Sequence, residues 1–306
     1  MKLSKKDFLR VGAVAAALTV MLTSCASVQS ADPSATTDGE PVKKSEALVK
    51  EIRAMLPEDI RTKGVITAAT DPITPPYEFM NDSNDEIIGM DPDIGHAIGD
   101  VLGVEIKFSQ VTFAGIIAAV KSGRYDMSLL SMYDKPERQK EIDFVNYFID
   151  GTRLIVEKGN PLEIKDLDDL CGRTVSMLQG AVMLQTLEAH QPKCGAKPID
   201  IALVPSTSDQ LLQLKTKRAV ATLANGVVTQ YIIDKQGGGD VEVLTEKMFT
   251  KGLMGFGFKK DSTQLRDAVQ AALNHIIDNG VYSKILAKWN VPASNAITEA
   301  TINGGQ

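Results

Sequence analysis

The chain has 306 residues, 43% of them hydrophobic, and a formal net charge of −6. That is core material enough for two domains of ordinary size. The acidic balance, with no basic stripe and no interleaved aromatics, argues against a nucleic-acid partner.

Taken in chain order, the first element is a leader. Lys2, Lys5, Lys6 and Arg10 precede an apolar run over 11–22, shorter than the ~20 residues that an apolar helix needs to cross a bilayer. It reads as an export signal over 1–24. Residues 25–44 are rich in Ser, Thr, Asp and Pro without apolar periodicity, and are expected to form a disordered tether. Ala47, Leu48, Ile52, Met55 and Leu56 then follow helical spacing up to Pro57. Strands are expected over 65–69, 104–108 and 126–130. Between them lie one helix with Asp91 as cap and Pro92 at its first position, ending at Gly103, and another through Phe113, Ile116, Ile117 and Val120 to Gly123. This alternation implies an α/β fold with mainly parallel sheets.

A second alternating set begins near Arg153, with strands around 174–177, 199–204 and 219–223 and helices starting at Ala181 and Ser208. A strand over 253–258 leads into an amphipathic helix carrying Leu265, Val269, Ala272, Leu273, Ile276 and Ile277, and a last helix runs through Ile285 to Trp289. After Pro292 the apolar pattern weakens, and 293–306 reads as a tail. Gly237-Gly238-Gly239 lacks the Lys-Ser/Thr ending of a phosphate loop and reads as a surface turn. His96, His190 and His275 have no ligand-like spacing, so neither a metal nor any other cofactor is expected.

Between Gly64 and Phe144 the chain strings together PPYEF, GMDPDI, SGRYD and KPERQKEIDF. In that order these segments resemble the substrate-binding proteins of amino-acid ABC importers, solute-binding protein family 3. The resemblance implies a two-lobed periplasmic-binding-protein-like (type II) fold. Lobe 1 would take 45–151, lobe 2 would take 152–250, and the return to lobe 1 would take 251–292, with crossings near Gly151 and Thr250. Leu22-Thr23-Ser24-Cys25 likewise resembles a bacterial lipobox, in which Cys25 is diacylated and anchors the protein on the outer face of the membrane; the alternative is an ordinary cleaved signal with an incidental cysteine. With Cys25 lipidated, Cys171 and Cys194 remain as an even pair outside the reducing cytoplasm and are expected to form a disulfide, the alternative being two buried thiols. Such a closure contributes roughly 3 kcal/mol in the chain-entropy model.

The resemblance also assigns the ligand site. Arg138, in Lys135-Pro136-Glu137-Arg138, matches the arginine that clamps a ligand carboxylate, a task suited to its planar, permanently charged fork; as a lone arginine it would be a solvated surface residue. Asp71 would face the ligand or cap a turn before Pro72, and Phe113 would form a face of the slot or pack in the core. Ser131, Gln179 and Gly180 complete the matching positions. Four positions depart from the family pattern: Thr74 where an aromatic is usual, Tyr133 for Ser or Thr, Val182 for Thr, and Asn225 for Asp. The loss of the aspartate removes the partner of the ligand's α-ammonium, and a buried ammonium without one loses several kcal/mol of compensation. The sequence therefore leads to the expectation of a carboxylate-bearing ligand that is not recognised as an ordinary zwitterion. The rival is that Asp134 or Asp71 takes over the ammonium.

The function implied is an importer component: a monomer that closes two lobes around a small polar carboxylate-bearing ligand, an amino acid among the candidates, and docks on a permease. A lipid-anchored sensor docking on a receptor fits the same residues. An enzyme resembling cyclohexadienyl dehydratases would need a cleft acid of raised pKa, which only Asp134 or Glu78 could supply; the chain is not expected to be an enzyme.

Overall fold

The computed structural model describes residues 39–179, 181–205, 207–235 and 239–306. The export signal, Cys25, Gly180, Gly237 and Gly238 lie outside them, as does the side chain of Val182. The first helix, α1 (Gly39–Ala54), takes in 39–44, which composition assigns to the tether. After it come α2 (Glu58–Lys63) and β1 (Val65–Thr70), then a small three-stranded antiparallel sheet of β2 (Ile73–Thr74), β3 (Glu78–Met80) and β4 (Ile87–Ile88). The chain continues through α3 (Met90–Leu102), β5 (Glu105–Gln110), α4 (Phe113–Lys121), β6 (Met127–Ser128) and the short α5 (Pro136–Gln139).

One long strand, β7 (Ile142–Glu157), then crosses the molecule. Beyond it lie β8 (Thr174–Leu178), α6 (Val182–His190), β9 (Asp200–Val204), α7 (Thr207–Lys215), β10 (Ala221–Asn225), α8 (Gly226–Lys235) and β11 (Val241–Val243). The return strand β12 (Thr250–Lys259) leads into α9 (Thr263–Asp278) and α10 (Val281–Lys288).

The large sheet runs β5-β1-β6-β12-β7-β10-β8-β9, with β11 beside β7. Each half holds three parallel strands, β5-β1-β6 and β10-β8-β9. The crossing strands β7 and β12 join the halves and pair antiparallel with each other along their length. Thr152 is where they part, since it pairs with Thr250 of β12 and with Asn225 of β10. The chain is thus a two-lobed α/β fold.

Local chemistry explains the turning points. At Gly151 an added Cβ would lie 2.1 Å from the Thr250 carbonyl oxygen, so only glycine lets the two strands close there. Gly89 has φ +140 and precedes α3 at a point where a Cβ would lie 2.1 Å from the Tyr77 carbonyl oxygen. This glycine, not Asp91, is the cap of α3, which corrects the expected start of that helix. Asp91 instead is fully buried and accepts from the Tyr147 hydroxyl at 2.7 Å.

Each lobe buries apolar residues on both sheet faces. In lobe 1, α3, α9 and α10 share one core through Ile94, Ile98, Leu265, Val269, Leu273, Tyr282 and Leu286, and Ile116, Val120 and Phe144 form a second. In lobe 2, Leu154, Val175 and Leu223 belong to one face, and Ile155, Leu211 and Ile233 to the other. Cys171 and Cys194 are joined by a disulfide that ties the start of β8 to the segment after α6.

Segment 293–306 is not a loose tail. Ala300 and Ile297 are buried, Ile302 bridges to Val145, and the Gly304 and Gly305 N–H groups donate to Asn146 and Asp134 at 2.8 Å each. Its grip comes mostly from backbone hydrogen bonds to buried side chains, which leave no apolar periodicity to read.

Candidate functional site

A cavity of about 290 Å³ opens where the lobes meet. It is built from the loop after β1, the turn before β3, the N-terminus of α4, the segment after β6, the crossing strand β7 and the end of β10. Six of the residues that the resemblance assigns to the ligand site line it: Asp71, Thr74, Phe113, Ser131, Tyr133 and Asn225. Tyr77, Glu78 and Asp150 join them, while none of the described lining residues is Lys or Arg.

Asp71 does both things expected of it, lining the cavity while its Oδ2 accepts from the Phe113 N–H at 2.8 Å. Phe113 is 44% exposed, a rim residue and not a core one. Arg138 is not in the cavity wall; its Nη1 donates to the Tyr133 carbonyl at 2.7 Å and its guanidinium lies 5.3 Å from the Phe113 ring centre. Partial burial lowers its pKa. The fork is therefore held beside two lining residues, with donors left over. Gln179 is exposed, its N–H spent on the Val204 carbonyl at 2.9 Å, and it is not part of the cavity wall. Val182 opens α6.

Asp134 does not replace the missing acid. It is buried away from the cavity wall with both oxygens used, Oδ1 accepting from Gln139 at 2.8 Å and Oδ2 from Asn146 and the Gly305 N–H at 2.9 and 2.8 Å. It holds the C-terminal segment.

Asn225 is committed as well. Its Oδ1 accepts from the Val228 N–H at 2.9 Å, capping α8, and its amide donates to Asp150 Oδ2. Its side-chain oxygen is thus engaged within the chain. Asp150 is fully buried; Tyr133 also donates to its Oδ2, at 3.0 Å, whereas Oδ1 has no partner. The Tyr77 hydroxyl is similarly buried and unpartnered. Burial raises the Asp150 carboxyl, against the lowering effect of the Gly151 N–H, Tyr133, Asn225 and Tyr77. Burial and the nearby Asp150 raise the Tyr77 and Tyr133 hydroxyls.

Glu78, also buried, is placed differently. Its carboxyl accepts from the Ser131 N–H at 3.1 Å and the Ser131 hydroxyl at 2.8 Å, and it reaches Asp91 behind the cavity. Burial and Asp91 hold Glu78 well above the usual carboxylate range, and burial pushes Asp91 up to about 7. A proton retained on Glu78 satisfies the Asp91 oxygen that otherwise has no partner.

Sequence reasoning missed Asp150 and Tyr77. The only signal for Asp150 was its place next to the crossing glycine; nothing in the spacing tells a buried acid from a solvated one. His190 comes within 4.8 Å of Cys171 and Cys194, but these sulfurs are bonded to each other, which removes the thiolates a metal would use. No helix among the described residues is long and apolar enough to cross a membrane.

Known proteins share this architecture. The chain is 30% identical over 259 residues to the arginine-binding protein ArgT of Corynebacterium glutamicum, covering 83% of each chain. An ancestral cationic amino acid solute-binding protein of solved structure is 26% identical, with 76% of this chain and 98% of that one covered and a TM-score of 0.64. A second structure of that ancestral protein describes it as a precursor of cyclohexadienyl dehydratase; it is again 26% identical, covers 76% of this chain and 97% of that one, and has a TM-score of 0.53. The model of bacterial extracellular solute-binding proteins, family 3, matches residues 66–292. This chain belongs to that family.

Proposed function

We propose that the protein captures an amino acid in the interlobe cleft and delivers it to an ABC permease, held on the outer face of the membrane by a lipid on Cys25. The carrying observation is the acid-lined cavity at the crossing of β7 and β12, with the Arg138 fork beside it. Arg138 takes the ligand carboxylate bidentately, Phe113 and Thr74 cover the body of the ligand, and Ser131 and Tyr133 line its path. Contacts to both lobes favour a closed form, with bending about the crossings near Gly151 and Thr250. Gln179, Gly180 and Val182 supply the opposite lobe's share of the ligand contacts. Arginine binding by ArgT makes a cationic amino acid the first candidate. A receptor-docking sensor would use the same cleft.

An enzyme reading gains one observation, the raised carboxyl of Glu78 at the cavity wall. Its oxygens are engaged by Ser131 and Asp91, which fits a structural role better than that of a positioned acid. Calorimetry and thermal-shift titration against the L-amino acids test the proposal: a saturable ligand whose affinity drops about 100-fold or more in Arg138→Ala is expected. A tight ligand indifferent to that change removes the carboxylate clamp. A Cys25→Ser protein that stays with the membrane fraction removes the anchor.

A further inference from the structure

We infer that Asp150, standing on the crossing strand, is the counter-ion for a cationic nitrogen group of the ligand, ammonium or guanidinium, and that Asn225 is its positioning residue. The inference rests on the amino-acid reading of the cleft and reverses the expectation that Asn225 leaves the ligand's cation unrecognised.

The geometry is that of half a salt bridge. Asp150 is 0% exposed and lines the cavity, and its Oδ2 is held from two sides by the Tyr133 hydroxyl and the Asn225 amide. Its Oδ1 has no partner in hydrogen-bonding geometry; the Tyr77 hydroxyl beside it, also unpartnered, is the one neutral donor the chain turns toward that oxygen, and it brings no charge. Buried carboxylate oxygens without partners are costly, so a site that keeps one is short of a donor. Arg153 does not supply it. Three residues further along β7, an odd step that turns its side chain to the other face, it gives its Nη atoms to Thr245, Ser294 and Asn295 and makes no ion pair with Asp150. No described lining residue carries a positive charge.

The Asn225 amide can point only one way. With Oδ1 accepting from Val228 N–H, its NH2 must face Asp150, so residue 225 fixes the carboxylate and brings no charge of its own to the ligand. The acid that the family pattern would place at 225 has in effect moved across one hydrogen bond to 150. Asp71 is a weaker candidate, because one of its oxygens is committed to the start of α4.

Calorimetry on the full mature chain tests this with three probes: L-arginine, L-citrulline, which lacks the side-chain charge, and 5-guanidinopentanoate, which lacks the α-ammonium. Wild type is expected to bind L-arginine, and Asp150→Asn to bind it about 100-fold or more weakly while unfolding at no lower temperature without ligand. The double variant Asp150→Asn/Asn225→Asp, which moves the charge back across the bond, is expected to recover to within about tenfold of wild type. A penalty retained with citrulline identifies the ammonium as the partner; one retained only with 5-guanidinopentanoate identifies the guanidinium. Asp150→Asn binding L-arginine within about threefold of wild type overturns the inference, as does a double variant no better than the single one. Where wild type binds another L-amino acid and not L-arginine, Asp150→Asn binding that ligand within about threefold of wild type overturns the inference while leaving the capture of amino acids intact. Wild type binding no amino acid overturns both.

Discussion

Glu78 and Asp150 are two buried acids in the wall of the same cavity, and they are treated in opposite ways. Glu78 takes two hydrogen bonds from Ser131 and is raised by burial and by the neighbouring Asp91, which is itself held by Tyr147. Asp150 is gripped at one oxygen and left bare at the other. The first arrangement is closed and holds β3 and α3 to the segment after β6. The second leaves Oδ1 facing the cavity region with only the unpartnered Tyr77 hydroxyl beside it and no positive charge. Burial and sequence type alone do not separate a structural acid from a binding one; the count of unmet hydrogen bonds does.

The contrast is open to attack at four points. The largest effect is expected from Glu78→Ala, which strands both Ser131 donors and Asp91 in a buried site and should cost about 3 kcal/mol in a urea melt. A loss below about 1 kcal/mol would place Glu78 with Asp150 instead. Next, Arg138→Ala should weaken ligand binding by about 100-fold, equal to ~2.7 kcal/mol. Because its single hydrogen bond is to a backbone carbonyl, it should leave ligand-free stability within about 0.5 kcal/mol of wild type.

The third effect depends on pH. Asp91 and Glu78 hold protons in the folded state that the unfolded chain releases near pH 4, so their contribution is complete below that pH and fades as pH rises toward about 7. Urea melts between pH 4.5 and 7.5 should show stability falling with pH, and Asp91→Asn should flatten the slope. Asp143, lowered by Asn303, Lys260 and Arg266, acts in the opposite sense and below that window. The smallest effect is on the open acid itself. Ligand-free Asp150→Asn should match wild type or gain up to ~1 kcal/mol, since an unpaired buried charge is removed. A loss of ~2 kcal/mol or more would make Asp150 a structural acid like Glu78.

Much of the frame was legible in the residues. Periodicity and caps locate α3, α4, α9 and most strands within a few residues, because apolar spacing reports the face an element buries. The length of β7 was not legible: Asp143, Asn146 and Asp150 interrupt its apolar pattern, yet all three side chains are buried and engage polar partners. The docking of 293–306 was hidden for the same reason. At the site, the residues that line the cavity from lobe 1 follow from one continuous motif-bearing stretch. Asp150 and Tyr77 acquire their meaning only from partners distant in sequence.

By itself the sequence determined the family and the alternating α/β frame, because these depend on local spacing and on motifs read along the chain. Only the tertiary structure decided where the negative charge of the cleft stands. An asparagine at 225 reads as a lost charge until β7 is seen to run beside β10 and bring Asp150 to its amide. The charge of a cleft is summed over residues that meet in space, and that sum is invisible to any window on the chain.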